Sequence, residues 1–520
     1  MSSTVQAQGL DVTTWKNITG KSLNLEADAV IVGSGAGGAV MAYELAKAGK
    51  KVIILEGGNY VPSSEFNERF PDMLEKLYAD RGNQANSSGD LVVLQGTCVG
   101  GSTVVNGCVA FRTPDFILNE WGVNHGLDNL APEKLAPYFE KAEKNLSVHV
   151  NGEHEINANS RIMRDGAEKL GISWKPLKRN IKNCGLTGHC LSGCKTDRKQ
   201  SMLVTYLPWA IAHGATLYAN TMVTKIVAID GKARGVIAEV ISPETGEKIA
   251  DISVSAKIVV SSAGAVQSPI LFQRSQLANS SGQVGKNFAC HPSTLVLGEF
   301  DKEVYTWRGA MLGIHVDEYE HPQKGGFILE GGGAGPIEIG MSVEPGTGSV
   351  YLDFMSRAKN YASMVTLIHD HNVGEIKWED GKKKIVYDLS EADFPAMKAA
   401  FKAAAKIYFA AGAKRVFIPT TNRLVIEKES DIESVIESIP YGQQTIRMVS
   451  YHPQGTMRMG KDKAKSVVNP YGETHDVANL FVADASLFPT SIIVNPQMTV
   501  YAISNYIVDE ILKNQHKYFG

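Results

Sequence analysis

The chain has 520 residues, which bounds it at about three domain-sized units. Its 52 Lys+Arg and 55 Asp+Glu leave a net charge of −3, which excludes the strong basic field of a nucleic-acid binder and gives no basis for attraction to anionic membranes. Apolar content of 43% and charged content of 21% describe a globular protein and exclude a disordered one.

No run reaches about 18 apolar residues, so no transmembrane segment is expected. Residues 1–28 lack the apolar core of a secretory signal, so no signal peptide is expected either. Residues 29–32, Ala-Val-Ile-Val, read as a buried strand ending at Gly33. Residues 39–49 read as a helix stopped by Gly49, and 51–56 as a second buried strand. This is a βαβ unit with a parallel pair. Gly33, Gly35 and Gly38 fit the GxGxxG pattern: the first makes the turn, the second admits a pyrophosphate, and the third lets helix and strand pack closely. The helix N-terminus then faces the phosphates. Glu56 ends the second strand, where an acid bonds ribose hydroxyls and disfavours a 2′-phosphate. The pattern does not decide between FAD and NAD. A second glycine-rich run, 96–106, is either a surface loop or a close contact for a phosphate or an isoalloxazine ring.

Further along, 111–214 mixes helical and turn-rich pieces. Residues 215–240 alternate and turn at Asp230-Gly231, which predicts a hairpin. A short strand is expected at 257–262 and another at 363–368. A helix is expected over 391–411, with Ser390 before it and Gly412 after it. The end reads as a strand at 480–483 and a helix at 496–513. The expected fold is α/β: a Rossmann-like dinucleotide-binding domain assembled from separated stretches, with an inserted α+β substrate domain built on an antiparallel sheet.

The sequence resembles the glucose–methanol–choline (GMC) oxidoreductase family. The resemblance rests on the βαβ unit through Glu56, on Gly100-Gly101-Ser102-Thr103 with Asn106, and on Gly264-Ala265-Val266-Gln267-Ser268-Pro269. It rests also on residues 451–460, on 479–486 and on Asn495-Pro496. Thr97 and Gln276 depart from the family pattern. The resemblance implies an FAD-binding domain from 27–110, 215–295 and 455–520, an N-terminal extension 1–26, and a connecting region 111–214 carrying a Cys-rich loop 183–198. It implies a substrate domain over 296–454. It implies His452 as the active-site base and Asn495 as its partner. Asp484 and Ala485 would hold the ribityl chain and pyrophosphate, and the backbone of Val223 would touch adenine. Val105 stands where some relatives link FAD through a His, so the FAD would be bound non-covalently. The chemistry agrees: a neutral imidazole suits removal of an alcohol proton, and an amide can orient the oxygen.

Cys184, Cys190 and Cys194 have the spacing C-x5-C-x3-C on a glycine-rich loop. They could hold an inorganic centre, and three thiolates suit a [3Fe–4S] cluster better than a four-iron one. Zinc with His189, a disulfide with one free thiol, and three plain cysteines are the other readings. The loop is similar to one in a family branch containing iron–sulfur sugar dehydrogenases and long-chain alcohol oxidising enzymes. That likeness implies a cytochrome or quinone-linked acceptor, a small chaperone-like subunit, and either a cytoplasmic location or export with a signal-bearing partner. His369 and His371 alternate but lack a third ligand in sequence.

The expected function is FAD-dependent oxidation of an alcohol to an aldehyde or ketone by hydride transfer to flavin N5, with an electron acceptor other than NAD. A peroxide-forming alcohol or sugar oxidase, or a hydroxynitrile lyase on the same fold, are the alternatives.

Overall fold

Strand β1 (Leu23–Val32), helix α1 (Ala36–Lys47) and strand β2 (Val52–Leu55) form the expected parallel unit, with Ala29 to Val32 set beside Val52 to Leu55. The computed structural model describes residues 9–18, 22–371 and 374–520. Parts of the expected N-terminal extension, 1–8 and 19–21, and residues 372–373 of the expected substrate domain, lie outside the described residues.

β1 is longer than its apolar run. It pairs with the strand Lys248–Ser261 from Leu23 opposite Ile252 to Val32 opposite Ser261. Only its second half is fully buried, so hydrophobicity alone marks just that half. The same holds for Lys248–Ser261, whose buried end is the segment expected at 257–262. α1 starts at Ala36, earlier than 39, because Gly35 already serves as its N-cap.

The first sheet runs in the order Thr216–Tyr218, β2, β1, Lys248–Ser261, Lys232–Ile241, Thr221–Ile229, and Leu480–Val482 also pairs with Lys248–Ser261. The last two strands of that order form the expected hairpin. Its turn residues Asp230 and Gly231 have φ of 50° and 72°, the left-handed pair that a tight two-residue hairpin requires.

The second sheet is largely antiparallel. It runs Leu424–Ile426, Arg415–Ile418, Ser293–Glu299, Tyr361–Ile368, Phe327–Gly331, Ile314–Val316, Trp174–Pro176. Met448–Ser450 joins it and carries Leu91–Val93 alongside in parallel. The helix Phe394–Ala410 covers the sheet, burying Met397, Phe401, Ala404 and Tyr408 along one stripe. It begins after 391 because Ser390 bonds the Asp393 backbone N–H (3.0 Å) in a turn ahead of the helix. Among the described residues no helix is long and apolar enough to cross a membrane.

Both sheets end at the same place. The loop 96–106 leaves Leu91–Val93 of the second sheet and reaches the β1–α1 turn of the first. The helix Gln497–Lys513, with twelve buried residues, packs on α1 and points its N-terminus at this junction.

Candidate active site

A cavity of about 350 Å³ opens at this junction. Of the residues expected at the site, Gly33, Gly35, Glu56, Gly101, Ser102, Asn106, Val223, Asp484, Ala485, His452 and Asn495 line it. Gly38 and Gly100 are not among the lining residues. A Cβ on Gly38 would lie 2.0 Å from the Gly33 carbonyl oxygen, so its glycine serves helix–strand packing. Gly100 has φ 96° and donates its N–H to Ser34 Oγ (3.0 Å). Ser34 Oγ in turn donates to Glu56 Oε2 (2.7 Å). Glu56 also accepts from the N–H groups of Ser34 (2.9 Å) and Gly58 (2.8 Å). These bonds tie the strand end, the turn and the glycine-rich loop into one rigid edge. Burial pushes the Glu56 carboxyl up, and the three bonds oppose that.

The residues fit a dinucleotide. α1 has no side-chain cap, so its first N–H groups are free for a phosphate. A Cβ on Gly33 would lie 2.5 Å from the Ser262 carbonyl oxygen, and one on Gly37 1.7 Å from that of Ala483. A Cβ on Gly35 would meet nothing closer than Gly101 Cα at 3.9 Å. The protein's own packing therefore does not require glycine at 35, whereas the close approach of a ligand does. Asp484 is fixed by Gly264 N–H (2.9 Å), Ser268 Oγ (2.6 Å) and Ser486 N–H (2.8 Å), its backbone beside Ala485 on the cavity.

At the other end, His452 follows the strand Met448–Ser450 and is buried. Its Nδ1 lies 3.0 Å from Nδ1 of His291, a fully buried ring. Burial pushes His452 down to about 3 and holds His291 well below the ordinary range, so both rings are neutral at physiological pH. His291 has φ 49° and Ile493, beside Asn495, has φ 60°. Left-handed backbone at a β-branched residue is strained, and such strain gathers at functional sites. Asn495 Oδ1 is buried without a protein partner.

Sequence reasoning missed His291 and Glu330. Glu330 is 2% exposed and lines the cavity near Asn495, its Oε1 buried without a protein partner. Burial pushes it up to about 8, so it is a neutral acid at pH 7. The available signal was one acid closing the apolar run Phe327-Ile328-Leu329 ahead of Gly331-Gly332-Gly333. Because the folded value is raised, the native chain holds a proton that the unfolded chain releases above about 4.5, and wild-type stability falls as pH rises toward 8. Glu330→Gln removes that loss. Urea titrations should show the variant gaining on wild type by roughly 1.4 kcal/mol per pH unit across this window. A pH-independent difference would mean that Glu330 is ionised throughout.

The cysteine loop departs from expectation. Among the described residues no group of three or more His, Cys, Asp or Glu is placed to hold a metal ion, and Cys184, Cys190 and Cys194 do not converge on one. Their partners explain why. Cys194 Sγ accepts the Lys199 N–H (3.4 Å) and bonds Thr196 Oγ1 (3.6 Å). Cys190 packs against the cluster of Val109, Leu177, Met311 and Leu312. These thiols do not fit a [3Fe–4S] cluster. His369 is buried, and His371 pairs with Asp393 at 2.8 Å.

Comparison with known proteins places this geometry. The N-terminal pattern of the GMC oxidoreductase family matches residues 27–293, and its C-terminal pattern matches 371–504. The chain is 31% identical to an uncharacterized GMC-type oxidoreductase of Mycobacterium tuberculosis, over 93% of this chain and 75% of that protein. It is 30% identical to a long-chain-alcohol oxidase of Arabidopsis thaliana, over 97% of this chain and 71% of that one. The fold matches pyridoxine 4-oxidase from Mesorbium loti with a TM-score of 0.68 at 18% identity, covering 94% of this chain and 99% of that chain. A cavity joining a dinucleotide turn to a buried histidine, together with these matches, shows that the chain belongs to the GMC oxidoreductase family, enzymes that oxidise alcohols with FAD.

Proposed function

We propose that the protein oxidises an apolar alcohol, with His452 as proton acceptor and Asn495 as its partner at the alcohol oxygen. The observation that carries this reading is a neutral His, an amide and a neutral acid set in a hydrocarbon wall. Leu295, Met311, Leu312, Val365 and Leu367 line the same cavity. A sugar would leave its hydroxyls without partners along that wall.

The pyrophosphate of FAD would lie against Gly33, Gly35 and the α1 N-terminus, its ribose at Glu56, and its adenine beside Val223. Val105 offers no atom for a covalent link. Bound FAD supplies the acceptor for the hydrogen and electron pair that leave the alcohol carbon. His452 takes the hydroxyl proton. His291 Nε2 is buried without a hydrogen-bond partner, so the 3.0 Å Nδ1–Nδ1 contact alone relates the two tautomers: one ring donates there and the other accepts. In this reading His452 is the donor from Nδ1, which leaves its Nε2 bare for the alcohol. A proton arriving there is stabilised by the now charge-assisted bond to His291. The low pKa of His452 is compatible with this task, because the oxygen becomes a carbonyl as the carbon-bound hydrogen leaves.

Likeness to the plant long-chain-alcohol oxidases favours dioxygen as the final acceptor. The three thiols form no metal-holding group among the described residues, so the cytochrome or quinone-linked acceptor and the chaperone-like subunit rest on the loop's sequence likeness alone. Steady-state rates with primary alcohols of increasing length test the substrate class. kcat/KM should rise about fourfold per added CH₂ until the cavity is full. Faster turnover of sugars than of any long alcohol would overturn the assignment.

A further inference from the structure

Cys108 lines the cavity, and Cys190 packs just behind it, against the cluster of Val109, Leu177, Met311 and Leu312. Cys108 is buried, and its left-handed backbone (φ 67°) is held by its N–H bond to Asn106 Oδ1 (3.2 Å). Cys190 opens the turn Cys190–Ser192 and is half-buried. The Cys108 sulfur lies 4.0 Å from the Asn106 carbonyl oxygen, and the Cys108 and Cys190 thiols lie close enough to act on each other's ionisation. One buried ammonium ties the two segments: Lys199 Nζ donates to the Cys190 carbonyl (2.8 Å) and to the Asn106 carbonyl (2.9 Å). Lys199 makes no ion pair among the described residues, so its charge acts on the cysteines. Arg179, buried and paired with Glu155 at 3.1 Å, adds to the same field.

We propose that Cys108 and Cys190 are a peroxide-oxidised thiol pair, closing a disulfide at the wall of the active-site cavity. The Cys190 thiolate attacks one oxygen of a hydroperoxide. The O–O bond breaks, Cys190 becomes a sulfenic acid, and the other oxygen leaves as water or an alcohol after taking a proton. The Cys108 sulfur then attacks the Cys190 sulfur, an S–S bond forms, and hydroxide leaves with the Cys108 proton as water. For hydrogen peroxide the sum is two thiols and one peroxide giving one disulfide and two waters.

The roles follow from the surroundings. The neighbouring Cys108 thiol, then Lys199 and Arg179, holds Cys190 down to about 6 against the opposing effect of burial, so at pH 7 it is largely the nucleophilic thiolate. Burial holds Cys108 well above the ordinary range, so it stays a thiol until its partner is oxidised. Gly188 and Gly193, with φ of 79° and 85°, bracket the Cys190 turn and give it its left-handed corners. Leu191, next in the chain, lines the cavity, and its carbonyl accepts the Tyr78 hydroxyl (2.6 Å). Oxidation is thereby coupled to the wall that meets the substrate.

Peptide mapping of the FAD-loaded enzyme tests this. After a hydrogen peroxide pulse and alkylation, mass spectrometry should show the peptides bearing Cys108 and Cys190 joined and lighter by two hydrogens, separable by dithiothreitol. Cys184 and Cys194 should remain alkylated. In Cys108→Ala the link should vanish and dimedone should trap Cys190 as a sulfenic acid. In Cys190→Ser, Cys108 should stay alkylatable after peroxide. A Cys190 that remains fully alkylatable in the wild-type enzyme after peroxide, or one joined to Cys184 or Cys194, overturns the proposal. The wild-type measurement decides even if a variant folds poorly.

Discussion

Replacing His452 by Ala is expected to slow alcohol-driven reduction of the bound flavin by roughly 10²–10⁴-fold, the range for loss of a general base, with FAD content unchanged. His452 lies at the end of the cavity away from the β1–α1 turn, so its removal leaves the dinucleotide cradle intact. It also leaves His291 Nδ1 without its partner, and that cost falls on a neutral ring. Stopped-flow mixing without oxygen isolates the reductive step from any later one. Wild-type reduction should show no decline between about pH 7 and 5, although a free imidazole becomes charged there. The reason is the sign of the shift: burial has lowered the folded value to about 3, so the base form persists until far more acidic pH. A rate that halves near pH 6.5 would place an exposed histidine in this role instead.

Gly35→Val should fold and lose FAD, with affinity weaker by roughly 100-fold or more, a change of about 2.7 kcal/mol. Gly35 has φ −72° and ψ −160°, ordinary extended backbone that valine adopts. Its missing side chain faces open space in the protein itself. Gly38 differs, because even one methyl there collides with the Gly33 carbonyl. Gly38→Ala should therefore reduce soluble yield and lower the melting temperature, whereas Gly35→Val should melt near the FAD-free wild type. Circular dichroism and flavin absorbance on the two purified variants separate the cases. Full FAD in Gly35→Val would mean that the pyrophosphate lies elsewhere.

The contrast between these two glycines also shows what the sequence carries. GxGxxG already assigns Gly38 to helix–strand packing and Gly35 to the pyrophosphate, and the structure adds the distances, 2.0 Å to the Gly33 carbonyl oxygen for one and 3.9 Å to Gly101 Cα for the other. The βαβ unit, the Asp230-Gly231 hairpin and the helix ending at Ala410 were legible because periodicity and turn chemistry are local. The exposed half of β1 was hidden because its pairing with Ile252–Ser255 lies more than 200 residues away in sequence. Glu330 and His291 were hidden for a similar reason. A buried acid and a buried histidine gain their meaning from Asn495 and His452, which neither spacing nor composition brings near them. In the cysteine loop, sequence proximity implied convergence, but its thiols form no metal-holding group among the described residues, and Cys194 is engaged by the Lys199 N–H and Thr196.

The central claim is that this cavity passes hydrogen from an alcohol to bound FAD through His452. Its most direct test is an anaerobic titration of the FAD-loaded enzyme with a long-chain primary alcohol. The account predicts that the visible flavin absorbance bleaches, with one aldehyde formed for each flavin reduced, and that the His452→Ala enzyme stays yellow on the same timescale. A wild-type enzyme that keeps its yellow colour under every alcohol tried, or a His452→Ala enzyme that bleaches as fast as wild type, would contradict it.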